Sequence, residues 1–519
     1  MPMHRPTSGR WVLLTGATGF LGQCLLCELL DRGHRVLAVV RAPTPDEARA
    51  RLVAALRPWG RDPQAAMEHG QLATLRGDAL LTGLGLTDAV RERLHGSLAS
   101  VVHAAGNTTF RASPDGEPVR TNVTGTAEMF RLARDCGCLD WHFVSTAFVC
   151  GRCERATEQV FTDPPVFRNE YERSKWLAER DSLLAANRSG ATLTIYRPSV
   201  IVGHSQTGVA TRFVGVYYLF RATSLLARCV EQRGDVDRHA VPLRICADGH
   251  ARPNLVFIDD VARELVDLLE CPDARGGVYH LTHPDPPENL CIRETLEEHY
   301  DVSGGRFIGG GTPLPDDARS PYEDIFGGMT DAISAYVFDS PLFDRTCADR
   351  FVARRPAVWT AERLHRLIDG AERAGWRSAT GSAGAAADEE GFPAYFQRFL
   401  PARLERSKVG RLGQLNLDVR FLIEGGLDSD WWCRFRAGRL IDTQRTAGQA
   451  ADVTYRTTPG AFWRAVRGET GGPELFLAGD ASVEGDIERA LKFAVVLEEF
   501  VREFPYNREE LLNDASGTG

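Results

Sequence analysis

Tyr171 and Lys175 stand one helical turn apart in YERSK, at the head of a segment, WLAERDSLLAAN, that has the periodicity of a helix. This spacing sets both side chains on one face, about 5–6 Å apart at their Cβ atoms. A phenol beside an ammonium can move protons. An unperturbed tyrosine titrates near 10, too high for exchange at neutral pH, and a neighbouring cation favours the phenolate and brings that value down. Such a pair suits proton delivery to a carbonyl oxygen while a hydride arrives at the carbon, and the lysine can also hold ribose hydroxyls of a nicotinamide cofactor. Thr146, at the end of the apolar run LDWHFV, offers a hydroxyl to the same oxygen, with Ser145 as the neighbouring candidate. Together with Tyr171 it makes a small oxyanion site. The five residues alone read equally as a half-buried Tyr beside a surface Lys, so the surrounding elements have to decide.

The elements that position these groups begin near the N-terminus. WVLLTGATGFLGQCLLCELLDRGHRVLAVVR reads strand, glycine loop, helix, strand. Gly16, Gly19 and Gly22 let the backbone turn sharply and approach a pyrophosphate, whose charge a helix N-terminus stabilises. Thr18, Phe20 and Leu21 complete this cofactor-binding loop. An NAD site would carry an acid at the end of the second strand, about 20 residues past the loop, whereas this chain has Arg41 there and no acid until Asp46. A guanidinium suits a 2′-phosphate, so NADP(H) is the expected cofactor. A third strand ends at Asp78, a contact for the adenine ring. A fourth, SVVH, runs into Ala104 and Ala105, small residues that leave room for the cofactor at the sheet edge. His103 reads as a packed residue behind the site.

Five ordered motifs carry a resemblance. TGATGFLG, HAAG, FVSTAFVCG, NEYERSKWLAE and YRPSVIVGHSQTG occur in the order and spacing of an extended short-chain dehydrogenase/reductase, over about residues 10–300. More narrowly they resemble the branch that contains thioester reductase domains, carboxylic acid reductase terminal domains and fatty acyl-CoA reductases. That resemblance implies Tyr171 and Lys175 as the catalytic pair, and Thr146 as the catalytic hydroxyl, since its 25-residue step to Tyr171 fits better than that of Ser145. It also implies that Arg197 and Pro198, followed by Ser199, open the loop joining cofactor to substrate site. The expected fold is α/β, a Rossmann-type doubly wound parallel sheet with a substrate subdomain, over residues 1–375. The apolar stretch RFVGVYYLFRATSLLARCV reads as an acyl-enclosing segment or as a core helix, and SAYVFDSPLFDRTCADRF loosely resembles the carboxyl-terminal region of fatty acyl reductases.

The composition is that of an ordinary globular protein: 519 residues with 43% hydrophobic and 25% charged content, too long for one core. A net charge of −9 argues against nucleic acid as partner, and no run of about 18 apolar residues suggests a membrane span. No apolar leader opens the chain, so a cytoplasmic location is expected. Twelve cysteines in a reducing compartment read as buried thiols. Cys24/Cys27 and Cys150/Cys153 have metal-like spacing, but the first pair marks the apolar face of a helix, and no metal site is expected.

Residues 376–392, WRSATGSAGAAADEEGF, have the composition of a linker. Beyond it, LNLDVRFLIEG, WWCRFRAGRLIDTQ and ADVTYRTT alternate with period two, as strands do. With the closing LFLAGDASVEGDIERALKF, residues 393–519 resemble the sterol carrier protein type 2 fold, an α+β module that holds apolar ligands. Trp431, Trp432, Phe435, Phe462, Trp463 and Phe476 are candidates for the wall of a ligand tunnel or for plain core. The module carries no nucleophile, acid pair or metal set, so it is expected to bind and leave chemistry to the first domain. The leading expectation is NADPH-dependent reduction of a lipid-like acyl-CoA or acyl-carrier-protein thioester to an aldehyde, with a possible second step to the alcohol. An NADP-dependent alcohol/ketone oxidoreductase and a lipid carrier with a silent reductase half stand as alternatives.

Overall fold

The first two strands of the N-terminal half are nearly continuous apolar runs, as expected where helices cover both faces of a parallel sheet. VLAVV is buried at every position and WVLLT at all but the first. The computed structural model describes residues 9–113, 115–310, 314–315, 318–330, 333–338, 340–377, 391–407, 416–425, 428–446, 448–477 and 479–507. Seven parallel strands form one sheet: β1 (Trp11–Thr15), β2 (Val36–Val40), β3 (Leu72–Arg76), β4 (Leu98–His103), β5 (Asp140–Val144), β6 (Thr192–Pro198) and β7 (Val278–Leu281), in the order β7-β6-β5-β4-β1-β2-β3. The strand order reverses between β1 and β4, where Thr15 lies opposite His103. Open α/β sheets bind ligands at such a switch point, outside the carboxyl ends of the strands. Helices α1 (Phe20–Asp31), α2 (Thr126–Asp135) and α3 (Glu170–Ser189) follow β1, β4 and β5.

The chain divides into two compact units, residues 1–211, 250–292 and 335–370 in the first and residues 212–249, 293–334 and 371–519 in the second. The division differs from a single cut near residue 375: the expected substrate subdomain groups by compactness with the carboxyl-terminal module. The second unit holds α4 (Val216–Arg233) and α5 (Pro321–Thr330), then a five-stranded sheet. Its strands are β8 (Leu417–Ile423), β9 (Asp430–Arg436), β10 (Arg439–Arg445), β11 (Val453–Thr457) and β12 (Ala481–Gly485), in the order β10-β9-β8-β11-β12. Helices α6 (Pro459–Val466) and α7 (Ile487–Glu503) complete it. Burial alternates strictly along β8, the signature of a sheet with one core-facing side. Most of the expected linker, residues 378–390, lies outside the described residues.

The six aromatic candidates of the second unit separate. Trp431, Phe435, Phe462 and Trp463 belong to one core cluster, filled by Phe392, Tyr395, Phe396 and Phe399 from the segment before β8. Phe396 stacks on Trp431 at 5.0 Å and Phe392 on Trp463 at 5.1 Å. Trp432 instead donates to the Ala450 carbonyl (3.2 Å), and Phe476 lies 4.0 Å beneath the Arg221 guanidinium of α4.

Candidate active site

The glycine loop between β1 and α1 is a cradle that side chains would fill. A Cβ at Gly22 would lie 1.9 Å from the Gly16 carbonyl oxygen, and one at Gly16, whose φ is +74°, would lie 2.7 Å from the backbone of Ala104 and Ala105. Only glycine fits both. Gly19 precedes α1 and supplies no side-chain cap, so the first-turn amides of α1 present their hydrogens at the loop. This is the donor set a pyrophosphate requires. Gln23 holds the loop from within: Nε2 donates to the Thr18 carbonyl (2.8 Å), and Oε1 accepts from Trp59 Nε1 (2.7 Å) and Thr211 Oγ1 (2.9 Å). Phe20 stacks on Trp59, and Leu21 packs against the core. Cys24 is buried beside Ile258 and Ala262, on the apolar face of α1.

Beyond β2, Arg41 is exposed. The Arg51 guanidinium donates to the Arg41 carbonyl and Arg76 donates to the Pro43 carbonyl (3.2 Å), which brings three arginines to one strand end. Asp78 folds its own turn, with Oδ1 accepting the Leu80 amide at 3.0 Å. Ala104 and Ala105 follow β4, and the Ala105 amide donates to Thr15 Oγ1 (3.3 Å). His103 is packed as expected. Its ring nitrogens contact Thr15 Oγ1 (2.7 Å) and Thr126 Oγ1 (3.0 Å), and burial together with the Lys175 charge pushes its pKa down to about 3.

Thr146 follows β5 and is buried; its Oγ1 accepts the Phe148 amide at 3.3 Å. With that lone pair engaged, the hydroxyl hydrogen is what Thr146 can offer a substrate oxygen. Ser145 Oγ is buried without a hydrogen-bond partner among the described residues. Tyr171 is half-buried in the first turn of α3, its ring 6.4 Å from that of Phe110. Lys175 is almost wholly buried. Its Nζ donates to the Val144 carbonyl (2.9 Å) and lies 4.8 Å from the centre of the Phe143 ring. Burial lowers its pKa to about 8, with Glu179 pulling the other way. A Cβ on Gly106 would come within 3.2 Å of both Lys175 Nζ and Asn122 Oδ1, so the small residue keeps space open beside the ammonium.

Two residues of this site escape a motif reading. Gly106 closes the quoted HAAG but shows its use only through the space it leaves at Lys175. Asn122 sits in a turn with i→i+5 bonding, Arg120–Gly125, that leads into α2. Its Nδ2 donates to the Asn107 carbonyl and to Ser174 Oγ, both at 2.8 Å, and its Oδ1 accepts the Asn107 amide at 2.8 Å. An isolated Asn in RTNVTG gives no sequence signal for this bridge. The Arg197 side chain is held within the core. The Arg197 guanidinium is fully buried and bidentate on Glu179, at 3.0 and 2.6 Å, and also reaches the Gln159 carbonyl (2.8 Å). Its side chain is spent on a core ion pair, so Arg197 and Pro198 have only backbone and the proline ring to offer a cofactor.

Residues 14–249 match the family model described as Male sterility protein, and residues 396–498 match the SCP-2 sterol transfer family. A carboxylic acid reductase of Mycobacterium tuberculosis is 32% identical over 301 residues, 53% of this chain and 24% of that protein. A glycine betaine reductase of Emericella nidulans is 26% identical over 302 residues, 56% of this chain and 22% of that protein. The matches thus span less than a quarter of the length of these two relatives. The crystal structure of the terminal R domain from the myxalamid PKS-NRPS pathway superposes with a TM-score of 0.57 and 26% identity, covering 72% of this chain and 94% of that one. No helix among the described residues is long and apolar enough to cross a membrane.

Proposed function

We propose, from the premise that the chain joins an NAD(P)-dependent oxidoreductase domain of the short-chain dehydrogenase/reductase, male sterility type to an SCP-2 domain, that it reduces a lipid-like acyl thioester with NADPH. The product is the aldehyde, and a second round on the same residues gives the alcohol. What supports the reading most is the glycine cradle at the switch point of the sheet, beside elements that carry Thr146, Tyr171 and Lys175. The similarity to a carboxylic acid reductase and to a terminal R domain points to the thioester. NADPH over NADH rests on Arg41, exposed at the end of β2 with Arg51 and Arg76 at hand.

The cradle fits a nicotinamide dinucleotide, with Gly16 to Gly22 and the α1 amides at its pyrophosphate and Lys175 at a ribose. When bound, that cofactor supplies a hydride to the carbonyl carbon. Tyr171 gives its phenolic proton to the carbonyl oxygen, and the Thr146 hydroxyl donates a hydrogen bond to the same oxygen as negative charge develops there. Lys175, protonated, lowers the cost of the phenolate left on Tyr171. Collapse of the resulting hemithioacetal breaks the C–S bond, releases the thiol and leaves the aldehyde. Thiolate is a good leaving group, so the residues at hand suffice without a further acid.

The test is NADPH oxidation with octanoyl-CoA, octanoyl-pantetheine, octanal and a panel of lipid ketones, with products identified. Octanal and octanol from the thioesters are expected. Turnover of ketones alone would move the chain to the alcohol/ketone oxidoreductases, and absence of NADPH binding would leave only a lipid carrier.

A further inference from the structure

Tyr336, in the segment SAYVFDSPLFDRTCADRF, lies more than 100 residues beyond the five ordered motifs, yet it touches three of the segments that build the candidate active site. Its hydroxyl donates to Glu172 Oε1 (2.8 Å) and accepts from Asn169 Nδ2 (2.6 Å). Asn169 is the N-cap of α3, its Oδ1 accepting the Glu172 amide at 3.1 Å, so a single phenol joins both partners of that cap. Tyr171 stands between them in the chain. The Tyr336 ring stacks on Phe110 at 5.2 Å and meets the Phe148 ring edge-on at 4.7 Å. Phe110 also fixes the same helix start, because its carbonyl accepts the Glu170 amide (3.1 Å), and its ring neighbours Tyr171. Phe148 supplies the amide that orients Thr146.

The carboxylate at the centre is fully buried. Glu172 accepts the Arg168 amide at 2.8 Å and an Arg168 guanidinium hydrogen at 3.4 Å, in addition to the Tyr336 hydroxyl. Burial raises its pKa, and these donors oppose that rise. Arg168 in turn reaches the Gly151 carbonyl (2.6 Å), on the far side of the turn that begins at Thr146. Buried hydrogen bonds of this kind, in low dielectric, hold the side chains that make them in one arrangement.

We infer that Tyr336 is a positioning residue for the reaction: through Glu172 and Asn169 it sets the first turn of α3, and through Phe148 and Phe110 it sets the distance between the Tyr171 hydroxyl and Thr146. The inference rests on the reductase reading above. Its consequence is that catalysis requires a segment outside the span that carries the recognisable motifs.

The experiment measures kcat, KM and NADPH affinity of Tyr336→Phe and Glu172→Gln with octanoyl-CoA and octanal. Phe keeps the ring contacts and removes only the bridge, and Gln keeps the side-chain shape without the charge. Both should lower kcat by about tenfold or more, as a displaced proton donor does, while NADPH affinity stays within about twofold. Tyr336→Leu, which also loses the rings, should raise KM for the acyl substrate as well. Tyr171→Phe runs beside them. If it is inactive while folded Tyr336→Phe and Glu172→Gln keep wild-type kcat, even with lowered melting temperature, Tyr336 is structural and the inference is wrong. If Tyr171→Phe is fully active, or the wild type oxidises NADPH with neither probe, the reductase reading falls first and the inference with it.

Discussion

The ammonium of Lys175 is the most informative single group in the first unit. Burial costs the charged form enough to bring it from 10.5 to about 8, and the carboxylate that opposes this, Glu179, is itself bound by Arg197. If the ammonium is what holds cofactor and phenolate, activity is present while it is protonated and is lost as pH rises through about 8. The expected result is a kcat/KM for NADPH that falls about tenfold per pH unit above that point, since kcat/KM reports groups of the free enzyme. Lys175→Arg should move this limb to higher pH because a guanidinium stays charged; a limb that does not move belongs to another group. Tyr171→Phe removes only proton delivery, so turnover should drop by about two to four orders of magnitude with NADPH affinity kept, measured by stopped-flow and by cofactor titration. Arg41→Ala should weaken NADPH by about 1.5–3 kcal/mol, the scale of hydrogen bonds to a charged group, and leave NADH nearly unaffected. Equal loss for both cofactors would make Arg41 a structural residue.

Among the elements, the β1–α1 loop admits the least change. Alanine at Gly22 would set a Cβ 1.9 Å from the Gly16 carbonyl oxygen, and no side chain can yield there because the obstacle is backbone. The loop must open, at a cost on the order of 1–3 kcal/mol of local strain, and the amides no longer converge on one anion. Gly22→Ala is therefore expected to lose dinucleotide binding while far-ultraviolet circular dichroism keeps the native shape; unimpaired binding by calorimetry would show that the cradle is not where the cofactor sits. The α3 helix illustrates a different dependence. Its apolar periodicity and its Asn169 cap are local, but its first turn is held by Phe110 and Tyr336, neither of them adjacent in sequence.

For the whole molecule, the second unit changes what removing the carboxyl-terminal module should do. From sequence, the module reads as a separable lipid collector, and a chain ending near residue 385 would keep activity on short thioesters. In the structure, α4 packs its Arg221 into that module, where the guanidinium bonds to the Phe476 carbonyl and reaches the Ala481 carbonyl (3.3 Å) over the Phe476 ring. Burial brings Arg221 down to about 9, with Tyr218 opposing the shift. Gln232 donates to the Gly485 carbonyl (3.2 Å), and Arg233 pairs with Glu488. Truncation strips all of these from α4. The expected outcome is a lower melting temperature and a loss of turnover on octanoyl-CoA and on short thioesters alike, read by thermal melts and NADPH oxidation. Short-chain turnover retained at the wild-type rate would restore the collector role.

Features that depend on near neighbours are legible in the chain alone: the glycine loop, the one-turn spacing of Tyr171 and Lys175, the alternation along β8 and the apolar parallel strands. Each is a local steric or periodic rule that needs no partner to be read. Even the packed role of His103 was legible, since small residues beside it left the sheet edge to a ligand. Tertiary structure decided which polar groups meet. Arg197 sits in a motif of the cofactor region, yet its charge is matched by Glu179, because a guanidinium buried at the end of β6 must find a carboxylate there. Asn122, Gly106 and Tyr336 acquire their places only when loops from distant parts of the chain converge on α3. Most of the aromatic candidates of the carboxyl-terminal module became core because the segment before β8 supplies four rings of its own to fill that space. Spacing along the chain carries periodicity and turn chemistry; the satisfaction of buried charges and the filling of volume are properties of the folded whole.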